Sequence, residues 1–500
     1  VQHVALDECH GWQPRAGLLA AAGCKNVVVQ SRDSELSAHI ISSRCCVTVN
    51  NPTVPATTGY DTLTARLFWS LLGESERDLR GGGGGVVEHG VGVGGLDGES
   101  VTQSIRLLLQ NGSPESTDAE TWASSCILSG DCIDACRHGV NPRLMLALAR
   151  MATSEKDMAA KAREDAGKEA FKNLGTGVKT LSQIQLSKTD LARLGQGNLA
   201  EAEDTPDYVF YTGCNVLKTP HIALLCLDIM DVLGIKYRSM GGPAHCCGIM
   251  QYRAGDIETS LKVASNSIQK FKKTGAPTIL SWCPTCQVQY GEIGLPTYRE
   301  ATQSDPFEMT PFVLFLANKI DELRPHLARP IDRRVALHLH PGIRGLPEAA
   351  RKILAAVPGV EVIDLGLPEI GLMSNSLGTI PAHKRDLQAA ELDAAEAAGV
   401  DALAAVYHAD HRELCAHESE RPFKIINFLE IVAASIGIIR TDTFKALKKK
   451  QDVDAIIEDC APMIREHGLE PDRARPVIKK ALLGEQPLPL RNAKKASESV

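Results

Sequence analysis

Five cysteines share one tight arrangement: Cys214, then Cys246-Cys247 after 31 intervening residues, then Cys283-Pro-Thr-Cys286 after 35 more, the first of which is Gly248. Each follows an apolar run that reads as a strand. DYVFYTG runs into Cys214, IKYRSM leads to HCCG, and APTILSW runs into CPTC. The stretches between them, HIALLCLDIMDVLG and DIETSLKVASNSIQKFKKTG, are apolar at helical spacing and end in glycine. Strand–helix alternation predicts an α/β fold, and open parallel sheets carry their sites at the carboxyl ends of the strands. Five thiols are therefore expected on one sheet edge. Adjacent cysteines make a strained disulfide, and an odd total of fifteen cysteines argues against a disulfide framework. Thiolates are soft ligands that select iron–sulfur clusters or zinc. Five is one more than tetrahedral zinc or a cubane cluster uses. Each cysteine also precedes a helix start, where unpaired N–H groups favour negative charge.

The same order of elements recurs. RVALHLHPG, VEVIDLG and VDALAAVYHADHREL read as strands, with the helices LPEAARKILAAV and KRDLQAAELDAAEAAG between them. Aligned strand ends give an offset of about 125 to 130 residues, which is the mark of an internal repeat. The two copies are expected at residues 206–325 and 326–440. In the second copy the first cysteine falls near Pro341–Gly342, CCG falls at Ser376-Leu377-Gly378, and CPTC falls at His408-Ala-Asp-His411. Every one of the ligand-type cysteines is gone. His338, His340, His408 and His411 remain at or beside those positions. Histidines on facing strand ends can hold zinc or iron, and a decayed site that keeps polar residues is the plainer reading.

The flanks differ in character. Residues 1–98 contain a five-glycine run and cysteines at no recognisable ligand spacing. They are expected to be poorly ordered or outside the natural reading frame. Residues 99–152 read as a small helical segment, 153–205 as a helical linker and 441–500 as a charged helical tail. The run from Phe423 to Ile439 is interrupted by Lys424, Asn427 and Glu430, so it reads as a buried amphipathic helix and not a membrane span. With no secretory signal visible, a cytoplasmic location is expected. A net charge of −7 and 4% aromatic residues speak against nucleic acid or an anionic membrane as partner. The glycine run lacks the context of a phosphate loop, and no dinucleotide fingerprint is visible. Cys226 and Cys460 sit at helical positions and read as core thiols.

The spacing Cys-x31-Cys-Cys-Gly-x34-Cys-x2-Cys resembles the CCG domain of the heterodisulfide reductase B and D subunits. Related domains occur in the iron–sulfur subunit of glycolate oxidase and in fumarate reductase subunits. The resemblance covers about residues 207–440 and implies two tandem, pseudo-symmetric CCG modules. It implies that Cys214, Cys246, Cys247, Cys283 and Cys286 ligate a non-cubane [4Fe-4S] cluster, with Cys246 and Cys247 at the catalytic centre. It also implies flavin-containing and ferredoxin-like partner subunits, and a disulfide or protein-bound sulfur substrate. Upstream, CILSGDCIDAC resembles the ferredoxin-like run of the C subunit, with Ser129 in place of a cysteine and Arg137 in place of a proline. Cys126, Cys132 and Cys136 keep the spacing, so a second iron–sulfur cluster in a small ferredoxin-like segment stays open. The role so implied is an iron–sulfur oxidoreductase subunit. The alternatives are an electron-transfer subunit of a flavin-dependent glycolate- or lactate-type dehydrogenase, or a scaffold that keeps one cluster.

Overall fold

The computed structural model describes residues 104–109, 117–126, 128–130, 132–133, 141–195, 205–339, 342–367, 381–486 and 488–490. Residues 1–98, Cys136, His340 and Ser376-Leu377-Gly378 lie outside the described residues.

The helices α1 (Thr117–Ser125) and α2 (Pro142–Asp157) pack through Ala119, Ala123, Leu144, Leu148 and Ala149. A proline in the first turn and Asn141, whose side chain accepts from the Leu144 N–H, start α2. The long α3 (Ala160–Gln183) follows. The first module then runs β1 (Tyr208–Tyr211), α4 (Pro220–Val232), β2 (Tyr237–Met240), α5 (Ile257–Lys272), β3 (Thr278–Ser281), α6 (Pro284–Gln289), β4 (Glu308–Pro311) and α7 (Phe312–Asn318). The second repeats it as β5 (Arg333–His338), α8 (Leu346–Ala355), β6 (Val360–Ile363), α9 (Pro381–Ala397), β7 (Ala402–Ala405), α10 (His408–Leu414), β8 (Lys424–Asn427) and α11 (Phe428–Ile436). Four shorter helices follow among the described residues: α12 (Thr443–Lys450), α13 (Val453–Asp459), α14 (Ala461–His467) and α15 (Pro471–Ile478).

Each module is a four-stranded parallel sheet, in the order β2-β1-β3-β4 and β6-β5-β7-β8. The central strands are covered on both faces, and so β1 and β7 read as nearly unbroken apolar runs. The two sheets are related reciprocally. The first helix of each module packs on the last helix of the other: α4 on α11, and α7 on α8. One continuous core results, with Leu225, Ile229, Phe312, Leu316, Ile353, Leu429 and Val432 buried in it. Near its middle the Trp282 ring of the first module lies 5.4 Å from the Tyr407 ring of the second.

Each sheet has a fourth strand that sequence periodicity does not reveal. β4 and β8 are only four residues long and run straight into helices. This corrects the reading of residues 423–439 as one helix: the segment is β8 followed by α11. Asn427 makes the break. Its side chain accepts from the Leu429 N–H, and Glu430 accepts in return from the Asn427 N–H, forming a capping box. The Asn427 amide also donates to the carbonyls of Ala405 and Val406, both at 3.0 Å, which ties the cap to the end of β7.

The C-terminal helices pack into the second module through Phe444, Leu447, Ile456, Ile464 and Ile478, joined by Leu181 and Ile184 at the end of α3. Among the described residues, no helix is long and apolar enough to cross a membrane.

Candidate metal centre

Three neighbouring strands deliver the five sulfurs. Cys214 follows β1 and opens a 3-10 turn over Asn215–Lys218. Cys246 and Cys247 follow β2 and the turn Pro243–His245. Cys283 caps α6, and Cys286 lies in its first turn. All five side chains are buried, with at most 5% of their surface exposed. Their sulfurs are linked in one chain of contacts: Cys214 to Cys246, Cys246 to Cys247, Cys247 to Cys286, and Cys286 to Cys283.

Two glycines make this approach feasible. Gly213 has φ +72°, and a Cβ there would lie 2.7 Å from the Cys283 Cβ. Gly248, the glycine of CCG, has φ +83°, and a Cβ there would lie 2.4 Å from the Ser260 carbonyl oxygen. Its own carbonyl accepts from the Ser260 hydroxyl at 2.9 Å. The peptide between the paired cysteines is gripped as well: the Cys246 carbonyl accepts from Ser267 at 2.9 Å and from Tyr290 at 3.2 Å. Tyr290 opens a π-helical turn, Tyr290–Gly294, that continues from α6. On the other side the Tyr211 hydroxyl donates to the His245 carbonyl at 2.7 Å and meets the Cys286 Sγ at 3.5 Å. Phe271 packs against Tyr211 with ring centroids 5.0 Å apart and keeps that wall apolar.

The electrostatics alternate along the sulfur chain. The Cys246 thiol is held well below its ordinary range by S–H donation from Cys214 and Cys247, with the N–H groups of Gly248 and Cys247 adding to this against the cost of burial. Donation from Cys286, assisted by the N–H groups at the start of α6, lowers Cys283. Cys214, Cys247 and Cys286 are raised, first by that sharing of protons and then by burial. Negative charge is therefore favoured on Cys246 and Cys283 over the other three sulfurs. Five buried negative charges would need more compensation than Lys218, beside Cys214, and Arg253 give. Arg253 feels Cys247 and Cys283, and its guanidinium is pushed down to about 10 by burial and by Arg150. Bound metal cations invert this balance and deprotonate thiols outright. The donor set thus fits a cationic, thiolate-bound group of more than one metal ion.

The second module keeps the frame and changes the chemistry. Tyr211 pairs with Ser281 in the first sheet, and His338 pairs with Ala405 in the second. The next residue on each strand repeats a bond, Trp282 N–H to the Tyr211 carbonyl and Val406 N–H to the His338 carbonyl. Helix caps agree, Cys283 for α6 and Tyr407 for α10. The register therefore sets Tyr407 opposite Cys283 and Asp410 opposite Cys286, one residue earlier than the alignment of strand ends on His408 and His411. His338 stands where Tyr211 stands, and its Nε2 meets Asp410 Oδ1 at 3.5 Å. Its Nδ1 bonds Glu391 Oε2 at 2.6 Å. Burial alone would lower the His338 pKa, but Glu391 and Asp410 outweigh it and raise it well above its ordinary value. His408 is buried at the start of α10. His411 turns to Asp442, with Nε2 2.7 Å from Oδ2. His338 and His411 thus belong to separate clusters.

Cys126 is half-buried beside α1 and α2, where burial raises its thiol and its carbonyl accepts from Arg150 at 3.1 Å. Cys132 is half-buried too. Arg143 on α2 ties this segment to the modules, through Glu292 in the π-helical turn and the Gly342 carbonyl at 2.7 Å. Cys226 and Cys460 are buried in the core, where burial raises both thiols. Gly213, Tyr211, Ser267, Tyr290 and Arg253 are parts of the centre that the cysteine spacing does not announce. Only Gly213, a glycine directly before a strand-end cysteine, leaves a trace in the sequence.

Residues 208–290 match the cysteine-rich domain family CCG. The chain is also similar to the D subunit of dihydromethanophenazine:CoB–CoM heterodisulfide reductase from three Methanosarcina species. Identity to the Methanosarcina barkeri protein is 28% over 170 residues, covering 33% of this chain and 41% of that protein. Identity to the Methanosarcina mazei protein is 27% over 211 residues, covering 38% and 51%. For Methanosarcina acetivorans it is 26% over 169 residues, covering 32% and 41%. The chain thus spans about half, or less, of the length of the curated relatives it matches.

Proposed function

We propose that this chain, which carries a CCG cysteine-rich domain, is an iron–sulfur subunit of a redox complex of the heterodisulfide-reductase type. The observation that carries the reading is the buried chain of five sulfurs on three adjacent strand ends. Cys214, Cys246, Cys247, Cys283 and Cys286 would hold a non-cubane [4Fe-4S] cluster. Such a group supplies one-electron steps and an iron face open to a substrate sulfur. The protein's own part is to set five thiolates at fixed positions. The N–H groups of Gly248 and of the α6 start stabilise negative charge on Cys246 and Cys283. Ser267 and Tyr290 hold the Cys246–Cys247 peptide, and the aromatic wall of Tyr211 and Phe271 excludes water. Cys246 and Cys247 are the catalytic pair in this reading. A disulfide or protein-bound sulfur species is the substrate class, and flavin-containing and ferredoxin-like subunits are the partners. A second cluster on Cys126, Cys132 and Cys136 would pass electrons through the α2 segment that Arg143 fastens to the module.

The test is iron and acid-labile sulfide analysis, with electron paramagnetic resonance, on anoxically purified protein and on Cys246→Ala. Iron and sulfide in the wild type, with the cluster signal lost in the variant, is the expected result. Iron and sulfide near zero in the wild type, or stoichiometric zinc bound by sulfur, overturns the proposal.

A further inference from the structure

A second group of ligand-type side chains lies apart from the cysteines. His221 in the first turn of α4, His411 on α10, Glu430 on α11 and Asp442 at the cap of α12 each offer one donor atom, and these atoms lie within 4.8 Å of one another. Elements of both modules and of the C-terminal helices meet here. His221 is 3% exposed, yet neither of its ring nitrogens makes a hydrogen bond. Nε2 faces Glu430 Oε1 at 3.7 Å, and Nδ1 faces Asp442 Oδ1 at 3.5 Å. A buried imidazole without a hydrogen bond is unusual and calls for an explanation. His411 adds a second such atom, since its Nδ1 is also without a partner.

The carboxylates are aimed by backbone bonds. Asp442 Oδ1 accepts from the Lys445 N–H at 2.9 Å, and Glu430 Oε1 accepts from the Asn427 N–H at 2.8 Å. The nearest cation, Lys445, has its Nζ 4.0 Å from Asp442 Oδ2 and spends it on Glu418 at 2.8 Å and the Ile425 carbonyl at 2.9 Å. A cavity of about 170 Å³, lined by His221, Gln185, Arg440, Thr441 and Thr443, opens beside the group and gives an ion a way in. The pseudo-symmetric position does not repeat the group. By strand register, the first-module counterparts of His411 and Glu430 are Gln287 and Leu314.

We propose that His221, His411, Glu430 and Asp442 bind one divalent first-row transition-metal ion, with zinc the best match to this nitrogen–oxygen set. A tetrahedral site with bonds of about 2.0–2.2 Å has ligand atoms about 3.4 Å apart, so shifts of roughly an ångström close the group. Four protein ligands leave no open position, the pattern of a structural site. Its role is to fasten α4 of the first module to α10, α11 and α12 of the second.

The test loads the full-length protein with zinc and compares it with Cys246→Ser and with His221→Ala. Metal analysis should show a zinc equivalent that survives Cys246→Ser and is lost in His221→Ala. A chelator should lower the melting temperature of wild type and leave that of His221→Ala unmoved. Should His221→Ala fail to fold, zinc X-ray absorption on Cys246→Ser decides: an imidazole–oxygen shell supports the site. A shell of sulfur alone, or no zinc retained by Cys246→Ser, overturns it and leaves protonated imidazoles paired with carboxylates only.

Discussion

The two modules share strand order, register and reciprocal helix packing, yet their strand ends are neutralised in different ways. At the ends of β1, β2 and β3 five buried thiols cannot all ionise without added cations. At the ends of β5 and β7 buried acids and bases already face one another. His338 lies between Glu391 and Asp410. Glu413 accepts from Lys384 at 2.8 Å and from Gln388 at 3.0 Å. Arg412 bonds Glu485 at 2.7 Å. The difference teaches that the frame and the site are separable. Apolar strands and crossing helices fix the backbone, and what binds there is decided by whether side chains or metal ions balance the charge.

The sharpest way to break this contrast is to change register counterparts. Cys286→Ala should abolish iron binding, whereas Asp410→Asn, at the matching position, should leave the iron content per folded chain unchanged. Iron and sulfide analysis of the two variants side by side checks it. Equal iron loss in both would mean that the second module carries cluster ligands after all.

Next in size is His338. Removing one member of a buried, mutually bonded charge group costs about 3–5 kcal/mol, because the remaining charges lose their partner. His338→Gln should therefore lower stability by about 3 kcal/mol without removing iron. The pH dependence has a definite sign. The folded-state pKa is raised, so this stabilisation is complete below the unfolded value near 6.5 and is lost as pH rises through the higher folded value. Denaturant midpoints from pH 6 to pH 10 should fall in the wild type and fall less in the variant.

The strand–helix alternation and the five ligand-type cysteines are legible in the sequence because period and spacing report backbone position directly. The fourth strands are not. EMTP carries Glu308 and Pro311 and shows no apolar run, and KIIN is continuous with the apolar run of α11. The register of the second site also escapes a strand-end alignment, which falls one residue late on His408 and His411; strand pairing and the matching helix caps set Tyr407 and Asp410 there. The clamp residues Ser267 and Tyr290 sit on helices at positions where serine and tyrosine are unremarkable. The His221 group joins residues more than 200 positions apart in the chain, from His221 to Asp442, which no local pattern can indicate.

The smallest expected effect lies where the two strand-end regions touch. Glu485 lies between Lys218, at 2.5 Å and four residues after Cys214, and Arg412 of α10, at 2.7 Å. Burial would raise its pKa, but Arg412 and Lys218 prevail and hold it at about 2. A carboxylate depressed in this way stabilises the fold above its unfolded pKa, near 4.3, and loses that contribution as pH falls towards 2. The side chain is 28% exposed, so solvent screens part of the gain. Glu485→Gln should then cost about 2 kcal/mol at neutral pH and flatten the acid limb of the stability curve. Lys218 is not a cysteine ligand, and its ammonium is itself lowered, mainly by burial. Iron content should therefore stay at the wild-type level. If the variant lost iron along with stability, the bridge would be part of the cluster site and the charge balance of the two modules would be shared.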